Sequence, residues 1–298
     1  MTNMENKTCP YHPAAVRTSE VEEATSSSPK SSTLPKANAF TAVAAVAIYG
    51  YMFVVFLCFW GFLLPERIFS FAPYKFETST VAPSVAAAVL IDIALLMAFI
   101  IPHSTLARTS IKAKMNIPES FERPFFVLQT TIIMHLQMIY YRELPDTEPI
   151  WNVSEDSPFY WVLLVGFAFG FLFLFSATFA LDHFWLFGLS QGTGVDLNKM
   201  IGLAATDSAD GFVVRWHYSL CAHPIMTGMF FGLWSTPVMT AGHLIFASVN
   251  SAWMLGAIRY LEEPQLKEII GKPYVEYLES VPTYAPTGCP FTGKFFKN

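Results

Sequence analysis

The chain has 298 residues and a formal net charge of -5, and 53% of its residues are hydrophobic while only 14% are charged. Because soluble domains typically carry about 25% charged residues, this composition excludes an ordinary soluble domain and predicts a polytopic membrane protein. No basic run indicates nucleic acid as a partner. The cysteines form no Cys-x-x-Cys or Cys/His zinc spacing, so no metal site is predicted; they are Cys9, Cys58, Cys221 and Cys289.

Residues 1–38 form a polar leading segment rich in Ser, Thr, Pro and Glu. Such a segment has too few large apolar side chains to offset the entropy of ordering, so we predict a disordered cytosolic tail. The apolar run that follows begins far from Met1. We therefore expect that run to remain as a membrane anchor rather than to be a cleaved signal peptide.

Four apolar segments are predicted to cross the membrane as helices, for which roughly 20 residues are needed. Asp92 in the second segment is costly in lipid and is expected to face other helices. Gly166 and Gly170 in the fourth have the small-xxx-small spacing that lets a neighbouring helix come close. The segments are residues 39–64, 81–101, 125–141 and 159–181.

Polar side chains interrupt the third segment at Gln129, His135 and Gln137. Lipid would leave their hydrogen bonds unmade, so this face is expected to turn towards other helices or a cavity. The loop that follows, residues 142–158, holds five acidic residues and one arginine. It is predicted to lie outside.

The loop formed by residues 103–124 is predicted to be cytosolic, because its four basic residues outnumber its two acidic ones. Ser104 is placed to cap a short helix that begins at Thr105. Two interpretations stay open for His103 and Arg108. They are either an interfacial histidine and a snorkelling cation or functional groups.

Asp182 and His183 follow the fourth segment directly. A histidine beside a carboxylate at a membrane boundary is a candidate proton acceptor. The alternative is a capping or interfacial pair. The aromatic residues Trp185 and Phe187 are typical of an interfacial belt and are interpreted as anchors.

The C-terminal stretch, residues 218–282, is predicted to form an apolar helical hairpin that places its polar ends at one membrane face. His223 stands at the entry, Pro224 suits the first turn of a helix, and Pro237 breaks that helix. The return arm carries Arg259 three and four positions before two glutamates, a spacing that allows an intrahelical ion pair.

Pro264 follows the glutamates Glu262 and Glu263. Since the residue before a proline is disfavoured in helical conformation, we expect the helix to end at Glu262 and Glu263 to turn away. The tail that follows is expected to fold back over the hairpin mouth.

Several motifs in this order resemble the isoprenylcysteine carboxyl methyltransferase superfamily, integral membrane enzymes that use S-adenosyl-L-methionine. They are Tyr218, His223-Pro224, Gly228, Glu262-Glu263, Gly271, Tyr274, Tyr277 and Val281-Pro282. Three further stretches resemble its membrane methanethiol S-methyltransferase branch, which makes dimethyl sulfide. They are residues 103–108 with 122–123, residues 182–189, and residues 236–244.

The resemblance covers roughly residues 40–286 and implies a role for each matching position. Residues near the C terminus would hold S-adenosyl-L-methionine, namely Tyr218, His223, Pro224, Gly228, Glu262, Glu263, Tyr274 and Tyr277. Arg259 would lie next to the transferred methyl group. We place the substrate, a small apolar thiol, beside His103, Ser104 and Arg123, with Asp182 and His183 on the same side. A cation such as Arg259 or Arg108, or a base such as His183, would favour the thiolate.

Three positions depart from the superfamily pattern. Ala222 and Ser219 stand where arginines are usual, and Met226 stands where a tyrosine is usual. If those groups contact the cofactor, Arg215 or His217 upstream are the candidate replacements.

The sequence therefore predicts an all-α integral membrane protein with four transmembrane helices, a C-terminal transmembrane hairpin and both termini in the cytosol, in contact with membrane lipid. Its predicted divisions are residues 1–38, 39–222, 223–286 and 287–298, of which the third binds the cofactor. Other functions stay open: methyl transfer to a prenylcysteine or lipid acceptor, an NADPH-dependent membrane reductase, and a non-catalytic relative. Oligomeric state and organelle are not predicted.

Overall fold

The computed structural model describes residues 34–76, 78–106, 108, 111, 114–203 and 214–285. The predicted disordered tail lies almost wholly outside the described residues, and so does the predicted tail at 287–298. The helices are α1 (Ala39–Leu63), α2 (Val85–Leu106), α3 (Glu119–Tyr140), α4 (Pro158–Leu181), α5 (His183–Leu186), α6 (Leu189–Thr193), α7 (Leu197–Met200), α8 (His217–Leu220), α9 (Pro224–Trp234), α10 (Ala241–Ala257), α11 (Glu263–Ile270) and α12 (Lys272–Ser280).

A π-helical turn, Ile258–Glu262, joins α10 to α11 without a break. Short strands tie loops together in two pairs. One pair is parallel, between β1 (Thr80–Val81) and β2 (Arg142–Glu143), and the other is antiparallel, between β3 (Trp151–Asn152) and β4 (Val238–Met239).

Four helical stretches in the described chain are long and apolar enough to cross a membrane, which confirms the predicted class of helical membrane protein. They are Ala39–Leu63, Val85–Leu106, Pro158–Leu181 and Ala241–Ile270. The third predicted segment forms α3, which has spanning length but is absent from this set because charged and polar residues lower its hydropathy. The fourth candidate span is instead the continuous stretch through α10 and α11.

Asp92 and His135 find partners on other elements, as the sequence predicts, whereas the buried amide of Gln129 has none among the described residues. The Asp92 carboxylate is buried and accepts from the Arg142 backbone N–H at 2.9 Å. The His135 ring lies between the Tyr51 and Tyr74 hydroxyls, at 2.8 and 3.2 Å. These contacts anchor the helices to one another and to the loops beyond them.

Glycines allow α9 to lie directly on α4. A Cβ atom on Gly170 would come within 2.6 Å of Phe231 Cβ, and one on Gly228 would come within 2.5 Å of the Gly170 carbonyl oxygen. A Cβ atom on Gly166 would reach Ser235 Oγ at 2.8 Å. The small-xxx-small pair thus makes the close helix contact predicted for it, with α9 as the partner.

Alternating helix directions bring the starts of α1, α3 and α9 together with the ends of α2, α4 and α10. We call this the polar end of the bundle. The Trp253 indole N–H donates to Ser104 Oγ at 3.1 Å, which joins α10 to the last turn of α2. The opposite end, where the strands lie, is the strand end.

The expectation for His103 and Ser104 was wrong in one respect. Both lie in the last turn of α2, which runs to Leu106 through Pro102. Ser104 Oγ donates to the Ile100 carbonyl at 2.7 Å, so it does not cap a helix starting at Thr105. The packing of Trp253 against this turn favours its helical conformation beyond the end of the apolar run.

We expect Gly170→Ala to lower stability by about 1–3 kcal/mol, because the added methyl group overpacks the contact between α4 and α9. Gly50→Ala is the matched control, since a Cβ atom there would meet no packing partner within 4 Å among the described residues. That variant should be neutral or slightly stabilising. Thermal unfolding of the purified variants in one detergent compares them, and equal midpoints would contradict the packing argument.

Candidate functional site

His223 lies between two carboxylates at the polar end. It precedes α9, and 5% of its surface is exposed. Its Nδ1 is 3.7 Å from Glu262 Oε1 and its Nε2 is 3.5 Å from Glu263 Oε1. These separations exceed ordinary hydrogen-bond lengths, and buried Nε2 has no hydrogen-bond partner among the described residues.

The π turn explains why both carboxylates reach the same imidazole. Pro264 has no N–H, and its ring would clash with the Tyr260 carbonyl in a regular α-helix. The wider turn, in which the Glu263 N–H donates to the Ile258 carbonyl, accommodates the proline. The expected helix end at Glu262 was therefore wrong, because the helix continues to Ile270. Turns of this kind are frequent at functional sites.

The two carboxylates differ in their surroundings. The Glu263 side chain is 9% exposed and pairs with Lys267 Nζ at 3.3 Å, whereas the Glu262 side chain is 43% exposed. Lys267 was missed by the sequence reasoning, although its spacing of four residues from Glu263 indicates the pair. With two carboxylates and one lysine beside the imidazole, the cluster suits a ligand that carries positive charge.

The C-terminal tail covers this cluster, as the sequence suggested. The backbone N–H groups of Ala222 and His223 donate to the carbonyls of Pro282 and Thr283, at 2.8 and 3.1 Å. Thr227 Oγ1 donates to the Tyr284 carbonyl at 2.6 Å. The tail is thus held by two backbone N–H groups and one side-chain hydroxyl of the segment that carries His223.

Tyrosines pack beneath the tail. The Tyr277 hydroxyl donates to the Tyr218 carbonyl at 2.7 Å, and Tyr274 and Tyr277 form an apolar cluster with Ala222 and Val281. Burial raises the pKa of Tyr218, Tyr274 and Tyr277. All three hydroxyls therefore stay protonated at neutral pH and can act as hydrogen-bond donors.

Pro224 and Gly228 have structural roles in the described fold. Pro224 occupies the first turn of α9, where a missing N–H costs nothing. Gly228 lies in the contact with α4, which explains the absence of a side chain there. Both residues fix the direction in which α9 leaves His223.

Arg259 lies within the π turn and is exposed. Within the described ranges it forms no ion pair with Glu262 or Glu263, although their spacing allows one. Its charge acts on Tyr284, whose pKa is raised first by burial and is lowered in part by this arginine. Arg108 is also exposed, and no contact joins it to Arg259 in the part of the chain that the structure describes.

The residues predicted on the substrate side form a second cluster at the polar end. The His103 ring stacks on Phe99 with centroids 5.1 Å apart and meets the Trp253 ring edge-on. Arg123 lies over the Phe126 ring, 5.0 Å from its centroid, and acts electrostatically on His103. The structure therefore brings together the three predicted substrate residues, since Trp253 also bonds Ser104.

Both ring nitrogens of buried His183 are bonded to hydroxyl groups. Nδ1 is 2.7 Å from Thr178 Oγ1, and Nε2 is 2.7 Å from the Tyr49 hydroxyl. The Thr178 hydroxyl donates to the Phe175 carbonyl, so it must accept from Nδ1–H. The Nε2 lone pair then accepts from the Tyr49 hydroxyl. Desolvation lowers the pKa of His183 to about 4.

Asp182 caps the short helix α5 by accepting from the Trp185 N–H at 3.0 Å. Burial raises the pKa of this carboxyl, and the Trp185 bond lowers it in part. The structure thus supports the capping interpretation of Asp182 directly. Tyr49, the partner of His183, was missed because a tyrosine in an apolar run gives no signal of its contacts.

Small or apolar side chains occupy the positions that depart from the superfamily pattern. Ala222 and Ser219 are buried, and Met226 packs against the core between the spans. Of the two suggested replacements, His217 bonds Ser176 Oγ through Nε2 at 2.9 Å. That contact directs its ring towards α4.

The fold defines a multi-span helical membrane protein, and the two clusters lie at one end of its bundle. No family model and no solved structure matches the chain. It is 32% identical to the methanethiol S-methyltransferase of Crocosphaera subtropica over 273 residues, which are 86% of this chain and 96% of that protein. It is also 33% identical to methanethiol S-methyltransferase 1 of Bradyrhizobium diazoefficiens over 81% of this chain and 80% of that protein.

The chain belongs to the methanethiol S-methyltransferase family, as the sequence motifs indicated. A weaker match, 27% identical, is to Nurim of Xenopus laevis, over 53% of this chain and 55% of that protein.

The lowered pKa of His183 predicts acid destabilisation. A histidine takes up a proton near pH 6.5 when unfolded but only near 4 when folded, so stability is full above about 6.5 and falls as pH drops towards 4. The loss over this window is about 3 kcal/mol. Thermal unfolding at several pH values should show a flatter profile for His183→Gln than for wild type. Parallel profiles would contradict the assignment.

Proposed function

We propose that this protein transfers a methyl group from S-adenosyl-L-methionine to methanethiol and so produces dimethyl sulfide. The observation that carries the proposal is the family relationship over most of the chain. The cluster around His223 supports it, because it gathers the residues that the family resemblance assigns to the cofactor.

The residues at the cluster fit the proposed cofactor. The Glu262 and Glu263 carboxylates suit its ammonium and sulfonium charges or its ribose hydroxyls. The buried Nε2 of His223, which has no partner among the described residues, is a polar atom that a ligand would satisfy. When bound, S-adenosyl-L-methionine would supply a methyl group from its sulfonium. The sulfur that loses this methyl group becomes a neutral thioether.

The acceptor must be ionised and aligned for in-line attack. A thiol with a pKa near 10, an estimate above the cysteine reference of about 8.5, is only a fraction of a percent thiolate at neutral pH. Lowering that pKa by two units corresponds to about 2.7 kcal/mol. The thiolate sulfur then forms the new bond to carbon while the bond from carbon to the sulfonium sulfur breaks. The thiol proton goes to a base or to water.

We assign the stabilisation of the thiolate to Arg259, whose exposed guanidinium lies one turn before the cofactor glutamates. Arg108 is the second candidate cation at the same end. His183 and Tyr49 are the candidate route for the proton, with Asp182 beside them. Within this scheme the group of His103, Ser104 and Arg123 borders the acceptor.

The membrane location follows from the two substrates. An apolar thiol partitions into the bilayer, whereas the charged cofactor comes from the cytosol. We propose that α9 and α10 form the hairpin predicted from the sequence and that residues 223–286 bind the cofactor. We further propose that the polar end and both termini face the cytosol, which the basic excess of residues 103–124 supports.

The reaction is tested by headspace dimethyl sulfide from purified protein given S-adenosyl-L-methionine and methanethiol. Glu262→Gln and Glu263→Gln should each lower product formation by about tenfold or more, since each removes a charge that faces the ligand. Glu268→Gln, an exposed glutamate on α11, is the control and should retain wild-type rates.

Each negative result of this assay has its own meaning. Cofactor binding without product would redirect the search to a prenylcysteine or lipid acceptor. Binding of NADPH instead would indicate a reductase. Binding of neither cofactor would favour a non-catalytic relative, a second candidate suggested by Ala222, Ser219 and Met226.

Arg259→Leu should lower the rate at pH 7 by about ten- to a hundredfold, and the loss should shrink as pH rises towards the thiol pKa. A higher pH ionises the thiol without help from the cation. Lys272→Leu removes an exposed charge from the tail and should leave the profile unchanged. Full activity in both Arg259→Leu and His183→Ala would show that these catalytic assignments are wrong.

A further inference from the structure

A polar pocket of about 440 Å³ opens at the polar end, away from His223. It lies between the first turn of α3 and the segment that carries α5 and α6. Its walls combine charged, aromatic and amide side chains, namely Glu119, Glu122, Arg123, Trp185, Leu186 and Gln191. A pocket of this size and polarity is unlike one shaped for methanethiol, which is small and apolar.

Gln191 gives this pocket an unpaired polar group. Its side chain is 5% exposed, and its buried Oε1 has no hydrogen-bond partner among the described residues. Leaving a buried acceptor without a donor costs about 1–3 kcal/mol. A ligand that donates an N–H in this pocket would remove that cost.

The charged residues of the pocket favour a ligand that carries both a positive and a negative group. Glu119 and Glu122 are three residues apart on α3 and so share one face. Arg123 is oriented by its Nε, which donates to the Leu186 carbonyl at 2.6 Å. A guanidinium has five N–H donors in a planar fork, a geometry that matches phosphate. Glu122 acts electrostatically on Arg123, and the exposed Glu119 carboxylate presents an acceptor for an ammonium group next to the donors for a phosphate.

We propose that this pocket binds the headgroup of a phospholipid that carries a primary ammonium group. The position supports a lipid, because the pocket lies where the apolar stretch of α4 ends at Leu181. Trp185, 38% exposed, lies at its rim as interfacial tryptophans do. The carboxylates and the Gln191 oxygen accept hydrogen bonds, which a primary ammonium donates and a quaternary ammonium does not.

Native mass spectrometry of the full chain in detergent tests the proposal with phosphatidylethanolamine and phosphatidylcholine supplied at equal concentration. The wild type should retain phosphatidylethanolamine about tenfold better, the effect of charged hydrogen bonds to the headgroup. The double variant Glu119→Gln, Glu122→Gln should lose this preference. Glu268→Gln, which makes a matched charge change outside the pocket, should keep it.

Gln191→Leu provides a second, independent test in case the double variant does not fold. Without lipid it should unfold at a higher temperature than wild type, because it removes the unpaired amide. It should also gain less stability from added phosphatidylethanolamine.

Equal retention of the two lipids by the wild type would overturn the proposal. So would displacement of the lipid by equimolar glycerophosphoethanolamine, because the site would then recognise a soluble amine phosphate. These readouts require no methyl transfer, so the failure of this proposal is distinguishable from failure of the proposed function.

Discussion

The site depends on one backbone constraint, the accommodation of Pro264 within a continuous helix. A regular α-turn cannot accept this proline without a clash, and the π turn that replaces it changes the direction of two consecutive glutamates. A wider turn rotates successive side chains through a smaller angle, so Glu262 and Glu263 both face His223. In this way Pro264, which carries no ionisable group, determines how Glu262 and Glu263 are arranged around His223.

The position of His223 in turn depends on contacts far from the carboxylates. Gly228 lets α9 lie against Gly170 of α4, and the tail accepts hydrogen bonds from the backbone N–H groups of Ala222 and His223. The ring is therefore held from below by helix packing and from above by the tail, while its Nε2 lacks a partner among the described residues. An unpaired buried nitrogen persists only where surrounding structure fixes it, which is the arrangement expected of a prepared binding site.

Local patterns predicted those features that depend on local physics. Apolar length predicted α1, α2 and α4 as spans, and the cost of charge in lipid predicted that Asp92 faces the bundle, where it bonds Arg142. Patterns failed where tertiary packing decides. The last turn of α2 includes His103 because Trp253 packs against it. The residue pattern of α2 alone cannot predict this contact with α10. The π turn was missed for a similar reason, since the rule for residues before proline describes a preference that a packed helix overrides.

The two ends of the bundle hold different kinds of contact, and stretches that resemble the family lie at both ends. Residues 236–244 belong to the motifs shared with the family, yet they lie at the strand end. There Thr236 donates to the Val238 carbonyl, and His243 Nε2 lies 3.0 Å from the Leu233 carbonyl oxygen. These bonds satisfy backbone groups where the chain turns between α9 and α10, a need that lipid makes strict. A stretch that resembles the family can therefore serve a turn between helices, and its position in the bundle shows which contacts it makes.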